Sequence, residues 1–289
     1  MKRRRAVVFL AALVPVAVVI AGSKAQGQNA DSGAAAGDSA IAENKAPNAC
    51  QRTLLTNFDP DKGDFFGHDV PIWSLGDGSA IMFRSGMTID ADGAPNAYSP
   101  NNTGLDDLSN AGGPGHWDGI VTDHGEPFVQ GPDDPFPGFY ISQTALVDWS
   151  KERTDPARYV DASKIPYVVL PGELSRQFGA RLGDFAVVVN IRRGVAANAI
   201  FADIGTLGEG SIALADALGI WSNAREGGTH GGILYLVYPG SGDRRPRTLD
   251  EINSETGRIF QQWGGMEQLN SCQAGLEPMR PQFVDRNFH

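Results

Sequence analysis

Short runs of β-branched and aromatic residues, each cut off by Gly, Pro, Asn or Asp, constrain this chain more than anything else in it. IPYVVL at 165–170, DFAVVV at 184–189, NAIFA at 198–202 and GILYLVY at 232–238 are too short for helices and too apolar for exposed loops. Each therefore reads as a buried strand. AIMFRSGMTI at 80–89 is a fifth run, and the DADG that follows it predicts a hairpin returning toward Tyr98, because Asp-Gly tolerates the positive φ of a tight turn. Weaker strand signals lie at 119–122, 127–130 and 138–142, among Gly, Pro and Asp turns.

Helical signals are few. One short helix is expected from about Ser211 to Leu218, ended by Gly219. Another opens at Thr248 with Glu251 three residues on, a capping-box arrangement. Leu249, Ile252, Ile259, Phe260 and Trp263 share one face, and Gly264-Gly265 stops it. Many strands and few helices predict a mainly β fold: a β-barrel with long loops and two or three short helices.

The ends of the 289-residue chain read differently. Residues 1–25 have the form of a cleaved signal peptide, with a Lys2-Arg3-Arg4-Arg5 basic region, an apolar stretch interrupted by Pro15, and a small-x-small site at 23–25. Residues 26–49 hold little that is large and apolar and read as a disordered linker. A single domain is expected over 50–289. Cys50 and Cys272, the only two cysteines, bracket most of it, and in an exported protein they are expected to form a disulfide. The protein is thus expected to be secreted or periplasmic, monomeric, and without stable membrane association once the signal is removed.

The net charge of −10 becomes −15 on loss of residues 1–25, which carry five basic residues and no acidic one. That disfavours nucleic acid and anionic lipid as partners and is compatible with a cationic substrate. No P-loop, dinucleotide fingerprint, paired-cysteine metal spacing or nucleophile elbow is present. The five histidines lack metal spacing. No cofactor and no metal is expected.

The chemistry concentrates at 198–219. A strand ends in Asp203, a glycine-punctuated turn follows, and Glu209 stands where the short helix begins, with five residues between the two. Two carboxylates in contrasting environments are what glycosidic-bond hydrolysis needs, one protonated for the leaving group and one ionised to act on water or sugar. Asp203, after an apolar run, is expected to have a raised pKa. Glu209, near a helix N-terminus, is expected to stay ionised. Capping and turn formation explain the same residues equally well on local grounds. Asp90 and Asp92 are candidate contacts for sugar hydroxyls or ammonium groups. Trp117, set among Gly, Pro, His and Asp, is the surface candidate for stacking, and Trp73, Trp149, Trp221 and Trp263 are the other tryptophans.

Seven stretches, SGMTIDADGAPNAY (85–98), GIVTD (119–123), GFYIS (138–142), IPYVVLP (165–171), GDFAVVV (183–189), FADIG (201–205) and GEGS (208–211), resemble glycoside hydrolase family 75, the fungal-type chitosanases and their bacterial relatives. The resemblance implies an endo-acting hydrolase of β-1,4-linked glucosamine polymers, such as cationic chitosan, working with inversion through an acid and a base at Asp203 and Glu209. It marks Asp90, Asp92 and Asp184 as substrate-proximal. The turn into a small-residue helix also resembles the corner of a six-stranded double-psi β-barrel, a shape shared by family 45 endoglucanases, expansins and some lytic transglycosylases. Two other readings stay open: a hydrolase of another cell-wall polysaccharide such as peptidoglycan, and a non-catalytic, expansin-like carbohydrate-binding protein.

Overall fold

A computed structural model describes residues 50–58, 69–76 and 78–276. The signal-peptide and linker expectations lie outside the described residues. The five long apolar runs all form strands, whereas the weaker signals at 119–122, 127–130 and 138–142 give only two-residue strands and isolated bridges. In chain order the elements are β1 (Arg52–Phe58), β2 (Val70–Leu75), β3 (Ala80–Asp90), β4 (Gly112–Gly113), β5 (His116–Trp117), β6 (Thr122–Asp123), β7 (Glu126–Pro127), β8 (Tyr167–Leu170), α1 (Gly172–Gln177), β9 (Phe185–Asn190), β10 (Val195–Ile204), β11 (Glu209–Ser211), α2 (Ile212–Ala217), β12 (Thr229–Val237), α3 (Leu249–Trp263) and α4 (Gly265–Gln273).

Six strands in the order β3-β11-β8-β10-β9-β12 form a barrel that closes where β12 pairs with β3. Pairs β10–β8 and β11–β3 are parallel and the other barrel pairs antiparallel, the mixed pattern expected of a double-psi-like barrel. The eleven residues of β3 serve two neighbours on one side: 80–83 pair with β2, and 88–90 with β11. Closure leaves no barrel edge exposed. Alternation along the strands sorts side chains into separate cores. Phe83, Met87, Val168, Val188, Phe201, Tyr235 and Val237 point one way. Tyr167, Val169, Phe185, Ile200 and Ala202 point the other, beneath the long loops.

The disulfide forms between Cys50 and Cys272, 222 residues apart, with Cα atoms 4.8 Å from each other. Helix α4, which delivers Cys272, was not foreseen. Gly264 (φ 120°) and Gly265 (φ 62°) do end α3, but the chain turns through them directly into another helix. The capping box at Thr248 and Glu251 is present, and α2 begins one residue later than expected, with Ser211 as its cap. No described helix is long and apolar enough to cross a membrane.

The hairpin expected at 90–93 does not form. The Asp92 N–H donates to Asp90 Oδ1 at 2.8 Å, and two further turns follow as Ala94 and Ala97 bond back to the carbonyls of Ala91 and Ala94. Pro95, with no N–H, removes a ladder donor just where a return strand would need one. Gly93 (φ 77°) is packed so closely that a Cβ would lie 2.1 Å from the Val160 carbonyl oxygen. Asp90 and Asp92 consequently end in a loop that bends over the barrel mouth.

Candidate active site

The site starts with an irregularity. Phe201 pairs with Val168 and Asp203 with Val169, so Ala202 is an extra residue in β10. Strict alternation would send Asp203 to the same side as Phe201. The bulge instead puts it on the face of Val169, the use to which bulges beside active sites are commonly put. From the other side, Glu209 of β11 also pairs with Val169, and across its far edge with Thr88 of β3. Asp90 lies two residues beyond Thr88 on the same face. Thr88, Glu209, Val169 and Asp203 therefore stand in one row across four strands.

That row floors an open cleft of about 960 Å³, whose wall also carries Asp90, Asp92, Asp106, Asp118 and Arg225. Asp90, Asp92 and Asp203 each bring a carboxylate oxygen within 4.8 Å of the others, a spacing at which all three could face one cation. Tyr98 Oη donates to Asp92 Oδ1 at 2.7 Å and lies 3.4 Å from Asp106 Oδ2, and Tyr167 Oη donates to the Asp92 carbonyl at 3.0 Å. Burial lifts both tyrosine hydroxyls above their usual pKa, and the surrounding carboxylates add to it, so both stay donors.

Asp203 is buried, and the N–H groups of Ala145 (2.9 Å) and Ile204 (2.8 Å) both donate to its Oδ1. Those donors favour the ionised form, but burial outweighs them and the charge of Asp90 adds to the burial, so the pKa lies well above the carboxylate range. Glu209 corrects the expectation from sequence. It sits in β11, not at the helix end, and Ser211 Oγ caps α2 by accepting from Leu214 N–H at 3.1 Å. The Glu209 carboxylate accepts one bond, from Thr206 N–H to Oε2 at 2.7 Å. Burial, then Asp90, raise its pKa to about 8. Asp90 rises to about 6, chiefly through burial, and Asp92 rises well above its ordinary value through burial and the charges of Asp90 and Asp203. Both carboxyls are thus raised by burial, and the expected contrast between a protonated Asp203 and an ionised Glu209 does not hold.

Two sequence candidates fall elsewhere. Asp184 is fully buried outside the cleft wall. Its Oδ2 accepts from Arg181 and Gly240 N–H groups and its Oδ1 from Gly242, so it locks the turns that start β9 and follow β12. This correction removes it from the substrate contacts. Trp117 is half-buried against Tyr140, with ring centroids 6.2 Å apart, and it is the following Asp118 and Gly119 that reach the wall. Sequence reasoning missed Asp106, Tyr98, Tyr167 and Arg225. Arg225 is held by three carbonyls, those of Asn102, Gly104 and Asp106, at 2.8–3.1 Å.

Paired, unequally perturbed carboxylates in one open cleft suit proton transfer in two directions, one group giving and one taking. No protein-family model and no curated protein matches the chain.

Proposed function

We propose that this chain is a secreted, endo-acting, inverting glycoside hydrolase of chitosan type, with Asp203 as general acid and Glu209 as general base. The observation that carries this reading is the shared pairing of both residues with Val169. Two strand spacings separate their backbones, about 9–10 Å, and side chains leaning together from that distance fall within the ~6.5–9.5 Å carboxyl separation that leaves room for an attacking water. A retaining pair would need direct neighbours at about 5 Å.

Asp203, held protonated by burial and with both backbone donors on Oδ1, carries its proton on Oδ2 toward the glycosidic oxygen. Glu209, in its ionised form, takes a proton from water on the opposite face of the sugar. The C1–O bond breaks as the water oxygen bonds to C1, and the configuration inverts. Asp90, with its pKa at about 6, supplies negative charge for the developing oxocarbenium ion and for a protonated amine. The disulfide and the acidic balance of the sequence accord with an extracellular protein acting on a cationic polymer.

The test is reducing-end release from chitosan of defined acetylation, chitin and peptidoglycan in parallel, with NMR of the first product anomer. Release from chitosan with α-anomer appearing first is expected. Peptidoglycan cleavage alone would move the activity to the cell wall. Polymer binding with no hydrolysis of any of the three would make this an expansin-like binding protein.

A further inference from the structure

A second depression, about 520 Å³, opens beside the catalytic cleft, and the two share Ala224 in their walls. Its character is different. Trp221 and Phe136 line it with 61% and 38% of their surfaces exposed, unusual for side chains of that size, and Asn96 and Asn223 supply amide groups beside them. Phe139 meets Phe136 edge-on at 5.8 Å and fixes its ring. The one charged pair there is self-neutralised, with Lys164 Nζ 2.7 Å from Asp161 Oδ2. The ridge between the depressions is rigid. Arg225, next to Ala224, binds the carbonyls of Asn102, Gly104 and Asp106, while Leu105 lines one side and Asp106 the other.

We propose that this depression is a distal polysaccharide-binding subsite, where sugar rings of the chain being cut stack on Trp221 and Phe136. The proposal rests on the hydrolase reading for the source of that chain. Exposed aromatic faces flanked by amides recognise the apolar face and rim hydroxyls of a pyranose. With its charges already paired, the subsite accepts acetylated and free-amine units alike, whereas the acidic cleft favours the protonated amine. Continuity at Ala224 lets one polymer occupy both, and a chain anchored beyond the ridge gains affinity that an oligomer confined to the cleft does not.

Trp221→Ala, Trp221→Phe and Phe136→Ala test this; the exposure of Trp221 makes its substitution compatible with the fold. Measured on chitosan polymer, Trp221→Ala and Phe136→Ala should each raise KM about 3- to 10-fold, the factor one aromatic contact supplies, with kcat unchanged. The shortest oligomers cleaved should show no change, and Trp221→Phe should recover most of the loss. Titration of Asp203→Asn with polymer should perturb tryptophan fluorescence, and Trp221→Ala should abolish that signal. Wild-type cleavage with identical polymer KM in both alanine variants overturns the subsite and leaves the hydrolase standing. Polymer binding through Trp221 with no cleavage supports the subsite and overturns the hydrolase. Neither binding nor cleavage overturns both.

Discussion

Asp203 and Glu209 are register partners of the same residue, Val169, one from each side. Neither the five-residue spacing in sequence nor either strand alone produces that relation. It arises because the 205–208 turn carries the chain from one neighbour of β8 to the other, and because the bulge at Ala202 turns Asp203 to the matching face.

Removing either carboxyl should abolish turnover while sparing the fold. Asp203→Asn and Glu209→Gln are each expected to lower kcat by about 10²–10⁴, the usual contribution of a general acid or base. Reducing-end assays beside circular dichroism check this, and a variant retaining more than a tenth of wild-type kcat would remove that residue from the mechanism.

The same exchange at Glu209 should stabilise the protein, and increasingly so with pH. Its pKa rises from 4.5 to about 8 on folding. The native state therefore holds the proton more tightly. Native stability is complete below pH 4.5 and declines as pH climbs toward 8. Glutamine does not ionise and escapes that decline. The Tm of Glu209→Gln should exceed that of wild type by a few degrees at pH 8 and match it near pH 4. A Tm advantage independent of pH would mean that the folded pKa is ordinary.

Activity should reflect the cluster, not a solitary carboxylate. With Asp90 leaving the protonated form near 6 and Glu209 near 8, the ascending limb of kcat/KM against pH is expected between those values. Asp90 is, after burial, the largest influence raising Glu209. Asp90→Asn should move that limb toward acid, and a limb unmoved in this variant would show that the two groups do not communicate.

Gly205 offers a test of position without change of charge. An added Cβ would lie 2.9 Å from Glu209 Oε2 and 3.0 Å from Val169 Cγ1. Gly205→Ala is expected to displace the Glu209 carboxylate and cost roughly 10- to 100-fold in kcat with little change in Tm, since small misplacements of a reacting group are expensive. Wild-type kcat in this variant would argue against Glu209 as the base.

Replacing both cysteines with serine removes a cross-link spanning 222 residues. The chain-entropy model sets a ceiling of about 5 kcal/mol on the loss, and a Tm lower by about 10 °C or more is expected from thermal melts. Cleavage at 25 °C should persist, because neither cysteine lines the cleft.

Much of the barrel was legible because its strands announce themselves. Runs such as DFAVVV and GILYLVY are buried on both faces, and nothing but a central strand accommodates that pattern. β1 was not legible. It lies at the sheet edge, with a largely exposed burial pattern and no clear alternation to read. Asp203 and Glu209 were singled out because chemistry and local sequence coincide there, and the fold brings both to one cleft. The environment of Glu209 was misread because proximity to a helix suggests a dipole, whereas pairing with Thr88 and Val169 is a long-range fact. Asp106 and Tyr98 join the site through the loop after β3, whose turns depend on contacts such as Gly93 against Val160 and Ser142. Asp184 looks like a site residue by type and turns out to bind three backbone amides.

The seam that closes the barrel joins β3 to β12, elements about 150 positions apart along the chain. Until residue 237 has been delivered, β3 and β9 each lack one flank. Maturation is therefore expected to be slow and all-or-none, as non-local pairing dictates. A chain truncated before that point should be protease-sensitive along its whole length, and joining of the two cysteines marks the end of the process.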